Sequence, residues 1–263
     1  MSQPGAGMNP SPNEAEWTKA RVDDLNRRFR ERPAEAVVAW ALAEFHPHLA
    51  LAASFSMEDI ALIAMLTDVL PGARVFALDT GRLDEQTYEA AEAVRRRLGV
   101  RIEWHFPERE AVEKLERTKG LHSFRESPEN RRECCRIRKV EPLSRALSGL
   151  RAWITGQRRA HGVTRADLAV FEADDAHGGI LKINPLADWT DAQVAEYVEK
   201  RALPRNSLYD EGYTSIGCAP CTRAVRPGED PRAGRWWWER PEQKECGLHA
   251  RRPGGAGKGK REE

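Results

Sequence analysis

Short apolar runs alternate along the middle of the chain with longer stretches of helical periodicity. Leu49-Ala50-Leu51-Ala52-Ala53 is an uninterrupted apolar run of strand length. Behind it Ile60, Leu62, Ile63, Leu66 and Val69 follow the spacing of a helix, which Pro71-Gly72 ends. Arg74 to Leu78 reads as a second strand, Asp84 to Leu98 as a second helix and Val100 to Phe106 as a third strand. Parallel strands need crossover connections, so this alternation predicts an α/β fold, a parallel sheet with helices on both faces. Further on, Val140 to Leu150 reads as a helix, Arg151 to Ile154, Leu168 to Glu172 and Ile180 to Ile183 as strands, and Val194, Tyr197 and Val198 as the apolar stripe of a helix. Ahead of the sheet two packing helices are expected. Trp17, Val22, Leu25 and Phe29 mark one within Glu14 to Arg32, and Val37, Val38, Ala41 and Leu42 mark another over Ala34 to Phe45, with Pro33 at its start.

The ends differ from this middle. Residues 1 to 13 are rich in Pro, Gly, Ser and Asn, and Arg251 to Glu263 is Gly-rich and charged, so both are read as disordered. The expected organisation is an N-terminal arm and helix over 1–33, an α/β core over 34–215, and over 216–263 a cysteine half-site followed by a mobile C-terminal segment with a disordered end. The termini account for much of the high charged fraction, 32% of 263 residues. A net charge of +1 gives no whole-molecule argument for nucleic-acid or membrane binding, so anion recognition must be local. No apolar run approaches the roughly 18 residues of a membrane span, and Met1-Ser2-Gln3-Pro4-Gly5 does not begin a secretory signal; a cytoplasmic protein is expected.

Ligands of parallel sheets sit at the carboxyl ends of the strands, which directs attention to the loops there. Ser54-Phe55-Ser56 offers hydroxyls and backbone donors at a helix N-terminus, an arrangement that suits phosphate or sulfate but equally describes ordinary capping. Asp79-Thr80-Gly81-Arg82 is open in the same way, a capped turn or a ribose and phosphate site. Two such loops at neighbouring strand ends favour a nucleotide. Thr155-Gly156-Gln157-Arg158-Arg159 adds two guanidiniums, whose forks suit phosphate oxygens. His161 and His177 read as exposed loop residues.

Four of the five cysteines fall into two clusters, Cys134-Cys135 and Cys218-x-x-Cys221. Four thiolates suit tetrahedral zinc or a [4Fe-4S] cluster. Adjacent cysteines diverge in a strand or a helix, and a cubane with separate corners accommodates that better than one ion does. Arg131, Arg132, Arg136, Arg138 and Lys139 would offset the negative charge of such a group. The fifth, Cys246, precedes the Gly-rich end; nearby Lys244 and His249 would raise its thiolate fraction, and local sequence leaves both a reactive and a structural role open. Trp236, Trp237 and Trp238 cannot all face one core.

Together, Cys134-Cys135-x-x-Arg138-Lys139-Val140-x-Pro142-Leu143, Thr155-Gly156-x-Arg158-Arg159, Pro185-Leu186-Ala187-Asp188-Trp189, Gly217-Cys218-x-Pro220-Cys221-Thr222-Arg223, Arg235-Trp236-Trp237-Trp238-Glu239 and Glu245-Cys246-Gly247-Leu248-His249 resemble the assimilatory adenylyl-sulfate (APS) reductases, colinearly over about residues 35 to 250. The resemblance implies a Rossmann-like, adenine-nucleotide alpha-hydrolase-type sheet. It implies reduction of adenosine 5'-phosphosulfate (APS) to sulfite and AMP, with thioredoxin or a glutaredoxin-like protein as donor. It assigns Cys246 as the nucleophile that becomes an S-sulfonate, His249 as its neighbour, and Cys134, Cys135, Cys218 and Cys221 as ligands of a [4Fe-4S] cluster acting with Lys139 near the sulfate. Ser54, Phe55 and Ser56 match a modified pyrophosphate loop, Asp79, Thr80, Gly81 and Arg82 a second nucleotide loop, and Arg158, Arg232 and Arg235 the phosphosulfate contacts. Ser-Phe-Ser-Met-Glu-Asp is not the Gly-rich loop of ATP-cleaving relatives, which argues against ATP hydrolysis and against a tRNA-thiolating enzyme. The rival substrate is the 3'-phosphorylated PAPS, whose reductases usually lack the four cysteines; a dual enzyme is the intermediate case. A homo-oligomer without nucleic-acid or membrane partners is expected.

Overall fold

The structure, a computed structural model, describes residues 17–161 and 165–240. Six strands, β1 (Leu49–Ala53), β2 (Val75–Leu78), β3 (Ile102–His105), β4 (Ala152–Ile154), β5 (Phe171–Asp174) and β6 (Ile180–Ile183), form one sheet in the order β3-β2-β1-β4-β6-β5. All neighbours are parallel except β5, which runs antiparallel to β6 along the edge. Side chains alternate across the sheet. Leu49 and Leu51, Val75 and Ala77, and Ala152 and Ile154 join the larger core, while Ala50, Phe76 and Trp153 join a smaller one on the opposite face.

Helices cover both cores. α1 (Lys19–Arg28), α2 (Ala34–Phe45), α3 (Met57–Val69), α4 (Glu85–Leu98) and α8 (Asp191–Lys200) contribute to the larger. α7 (Glu141–Leu147) covers the smaller through Leu143, Ala146 and Leu147. α3 is the most enclosed: every residue from Glu58 to Leu66 is buried. That is why its sequence lacks a polar stripe, since a helix packed on all sides needs none.

The alternation read from the sequence is therefore that of the fold, with local corrections. α1 begins after Thr18, whose hydroxyl accepts the Arg21 N–H, and is shorter than the stretch from Glu14 to Arg32. α7 stops at Leu147, before Gly149 at φ 80°, rather than at Leu150. The strand expected over Leu168 to Glu172 is β5, set further along. No element is expected from the sequence where α5 (Arg109–Lys119) and α6 (Pro128–Cys135) stand; α5 buries only Leu115. His177 is not exposed: its side chain is 5% accessible and Nδ1 lies 2.9 Å from Asp174, which also accepts the Trp153 indole N–H. Residues 1–13 lie outside the described residues. Among the described residues no helix is long and apolar enough to cross a membrane.

The chain leaves β1 toward β2 and β3, then returns to the other side of β1 as β4. Strand order thus reverses between β1 and β4, and a crevice opens at their carboxyl ends.

Candidate active site

The loop after β1 is a cap first. Ser56 is the N-cap of α3 and its Oγ accepts the Asp59 N–H. Ser54 donates both its N–H (2.6 Å) and its hydroxyl (2.7 Å) to Asp59 Oδ2, and the Met57 N–H donates to Tyr209 Oη at 3.3 Å. Phe55, at φ 60°, is buried and stacks at 5.7 Å on Trp104. Two acids sit in this first turn with opposite fates. Burial alone would raise the Glu58 pKa, but the hydrogen bond and charge of His161, the Arg158 guanidinium and its own backbone N–H together hold it at about 2. Burial of Asp59 prevails over its Ser54 hydrogen bonds and pushes it up to about 6.

These shifts act oppositely on stability. The Glu58 contribution is complete above its ordinary 4.5 and is lost as pH falls toward 2. The Asp59 contribution is complete below its ordinary 3.8 and is lost as pH rises through about 6. Asp59→Asn, which keeps an acceptor for Ser54 without the buried charge, is expected to raise stability above pH 6 by roughly 1–3 kcal/mol and to change it little near pH 4. Urea midpoints at pH 4.5 and 8 measure this; a loss of stability at pH 8 would contradict it.

The loop after β4 abuts this turn. A Cβ on Gly156 would lie 2.5 Å from Asp59 Oδ1 and 2.9 Å from Glu58 Cβ, so only glycine lets the loops meet. Gly156→Ala is expected to cost about 1–3 kcal/mol, read as a lower urea midpoint. Arg158, assigned by the resemblance to the phosphosulfate contacts, lines the crevice and is also a buried strut. Its Nε donates to Glu58 (2.8 Å), one terminal nitrogen to the Trp189 carbonyl (2.9 Å) and the other to Asp191. Arg159 donates to the Leu168 carbonyl and pairs with Asp188. His161, expected to be an exposed loop residue, lies 3.0 Å from Glu58 and lines the crevice.

The second loop divides. Thr80 faces the crevice. Asp79 accepts the Gly81 N–H (2.7 Å) and the Tyr88 hydroxyl (3.0 Å), closing the turn. Arg82 turns away to Glu116 and the Leu121 carbonyl, 5.0 Å over the Phe124 ring. Asp79, Gly81 and Arg82 therefore do not line the crevice, whereas Ser54, Phe55, Ser56, Thr80, Lys139, Arg158, Arg232 and Arg235 do. The crevice holds about 500 Å³, enough for one nucleotide-sized ligand.

Behind one wall of it lies a second, smaller cavity lined by Cys134, Cys135, Cys218 and Cys221. Lys139, Arg235 and Trp236 line both spaces. Cys134 and Cys135 end α6, which runs into a π-helical turn over Arg136–Val140. Pro142 has no N–H for the Arg138 carbonyl, and the Glu141 N–H reaches back five residues to Arg136, so the helix widens here. Cys218 is set by a bridge to Leu83 and by the Ala219 N–H, which donates to the Arg82 carbonyl at 2.8 Å. Arg235 passes over Gly217, where any Cβ would fall 1.7 Å from its Nη1. Arg131 is fully buried and pairs at 2.6 Å with Glu239; the Trp236 ring lies between Arg131 and Arg235 at 4.7 and 4.8 Å. Trp237 points outward, so the three tryptophans do diverge.

Burial raises the Cys134 thiol pKa and, with the charge of Cys218, pushes Cys221 up to about 12. For Cys218 burial acts the same way, but Lys139, the Thr80 hydroxyl and Arg235 outweigh it and hold the thiol below its usual range. Among the described residues no three His, Cys, Asp or Glu groups close on one ion position. Cys246 and His249, and the part of the expected C-terminal segment beyond residue 240, lie outside the described residues, whereas Cys218, Cys221 and Trp236 of that segment pack into one buried cluster.

A mostly parallel sheet with a crevice at its switch point defines the class as an adenine-nucleotide-binding α/β enzyme fold. The family model described as phosphoadenosine phosphosulfate reductase domain matches residues 48–224. The adenosine 5'-phosphosulfate reductase of Burkholderia cepacia is 51% identical over 209 residues, 79% of this chain and 83% of that one. That of Allochromatium vinosum is 49% identical over 203 residues, 77% and 79% of the two chains. Among solved structures, the phosphoadenylyl-sulfate (PAPS) reductase of Candida auris, a phosphate complex, superposes with a TM-score of 0.68 at 28% identity, covering 80% of this chain and 98% of that one. The chain belongs to the APS/PAPS reductase family.

Proposed function

We propose that this protein reduces APS to sulfite and AMP in sulfate assimilation, with reduced thioredoxin or a similar dithiol protein as donor. The observation that carries this is a nucleotide-sized crevice sharing a cationic wall, Lys139 and Arg235, with a cavity lined by four cysteines. Identity near 50% to proteins named APS reductases supports the substrate.

In the first step the Cys246 thiolate attacks the sulfate sulfur, the bond from sulfur to the bridging phosphate oxygen breaks, and AMP leaves with the electron pair. In the second, a donor thiolate attacks the Cys246 sulfur of the S-sulfonate. Sulfite departs, and the donor's second thiol resolves the mixed disulfide to regenerate Cys246. Lys139, Arg232 and Arg235 line the crevice where charge accumulates on the leaving phosphate, and such preorganised donors typically contribute about a hundredfold or more in rate. His249 is assigned to the neighbourhood of the nucleophile.

Cys134, Cys135, Cys218 and Cys221 would hold a [4Fe-4S] cluster. The fit rests on four buried sulfurs around one cavity and on the flanking Arg82, Arg131, Arg138, Lys139 and Arg235, whose charge would offset that of four thiolates. Bound there, it would supply a local electrostatic field behind the wall carrying Lys139.

Mass spectrometry of anaerobically purified protein, incubated with APS and no donor, tests the reading. The expected result is a sulfonate-sized adduct mapped to Cys246 and removed by reduced thioredoxin. An adduct with PAPS but not APS would move the protein to the 3'-phosphorylated substrate, and no adduct with either would refute the mechanism.

A further inference from the structure

Four large hydrophobic side chains are exposed among the described residues, Val69, Phe106, Leu121 and Trp237. Val69 ends α3 and Phe106 follows β3, and apolar residues exposed singly in this way are ordinary. Leu121 and Trp237 differ, because both belong to one neighbourhood of aromatic rings. Leu121 leads into a short helical turn over Ser123–Arg125. The Arg125 guanidinium of that turn lies 5.6 Å from the centre of the Phe124 ring, 5.7 Å from that of Trp237 and 5.5 Å from that of Trp238. Trp237 and Trp238 meet edge to face at 4.7 Å. Arg125 is exposed, donates to the Pro220 carbonyl at 3.3 Å and pairs with no carboxylate among the described residues.

This patch is an outer face of the cysteine chamber. Phe124 lines the chamber, Pro220 stands between Cys218 and Cys221, and Trp237 follows Trp236, which belongs to the wall shared with the crevice. Tryptophan and arginine are the residues that most often carry the binding energy of an interface, clustered near its centre. Transient redox encounters bury less than about 1,200 Å² in total, a scale that two tryptophans, a leucine and an arginine can anchor. An arginine without a counter-charge adds a preference for an acidic partner surface.

Chain connectivity points to the partner. Cys246 comes six residues after Arg240, the last described residue, and six residues of extended chain span at most about 20 Å. The second displacement requires a donor sulfur in bonding contact with the Cys246 sulfur, so the donor has to sit within that reach of Arg240. Trp237 precedes Arg240 by three residues, which span at most about 11 Å, so the patch lies inside the radius.

We infer, granting the proposed reductase function for its second step, that Leu121, Arg125, Trp237 and Trp238 form the docking surface for the dithiol protein that releases sulfite from the S-sulfonated Cys246.

The test uses full-length protein first converted to the S-sulfonate with APS in the absence of a donor. Sulfite release is then followed with reduced thioredoxin and, separately, with dithiothreitol, a small dithiol that needs no docking surface. Trp237→Ala and Arg125→Glu are expected to lower the second-order rate constant for thioredoxin about tenfold or more and to leave that for dithiothreitol unchanged. Leu121→Ser, at the most exposed of these positions, is expected to lower the thioredoxin constant about threefold and reads the surface without disturbing the aromatic rings. Unchanged thioredoxin constants in all three variants would overturn the inference. So would an equal loss with both donors, which marks a structural defect. Slower formation of the adduct would assign the patch to the chain's own Cys246 segment instead, and an altered sedimentation coefficient would assign it to a second copy; either overturns the docking site. A wild type that forms no adduct would remove the reductase reading, and the docking site with it.

Discussion

Cys246→Ser is expected to abolish sulfite formation, by on the order of 10⁴-fold or more in kcat, while iron content and AMP binding stay at wild-type levels. The size follows from the chemistry. A serine hydroxyl is not ionised near neutral pH, and a serine O-sulfate offers a donor thiol no divalent sulfur whose attack would release sulfite, so both displacements fail together. Steady-state sulfite release and the mass of the protein after exposure to APS measure the two steps separately. Appreciable turnover by the serine variant would refute the nucleophile assignment.

Cys218→Ser is expected to lose iron, brown colour and activity together. Lys139, the Thr80 hydroxyl and Arg235 outweigh burial and hold the Cys218 thiol below its ordinary range, whereas burial raises Cys134 and Cys221. Cys218 is also fixed by its neighbours, with Thr80 Oγ1 3.3 Å from its sulfur and a bridge to Leu83. Serine keeps the bridge and loses the soft donor. Iron analysis and the visible spectrum of the purified variant check this; a fully active, iron-free protein would overturn the role given to the cluster.

The strands and the longer helices were legible because their residues carry the whole signal. Leu49 to Ala53 is buried at every position but Ala52 and reads as an unbroken apolar run, and α3 reads clearly although its burial on every side erases amphipathic contrast. α5 and α6 were not legible, because they cover the cysteine cavity rather than the sheet and bury few apolar residues each. The site divides in the same way. The four cysteines and Lys139 were visible as types at a spacing. Arg158 was only half legible, since a guanidinium in a loop looks the same in sequence whether it awaits a phosphate or fastens Glu58 to Asp191. Glu58 and Asp59 passed as ordinary first-turn acids, and only the closeness of Gly156 reveals how tightly they are enclosed. Tyr209 had no signal at all, because its position depends on a 152-residue separation from Met57.

The pairing of Arg131 with Glu239 carries a temporal consequence. The partners are 108 residues apart, and Arg131 has no accessible surface once the pair forms. A nascent chain emerging from the ribosome would present Cys134 and Cys135 long before the second half-site and the glutamate that neutralises Arg131 have been made. Domains form as units during synthesis, and this one holds its thiol chamber unfinished until Glu239 has been made. A truncation just before Glu239 would therefore leave the six-stranded sheet beside an unsealed cysteine chamber.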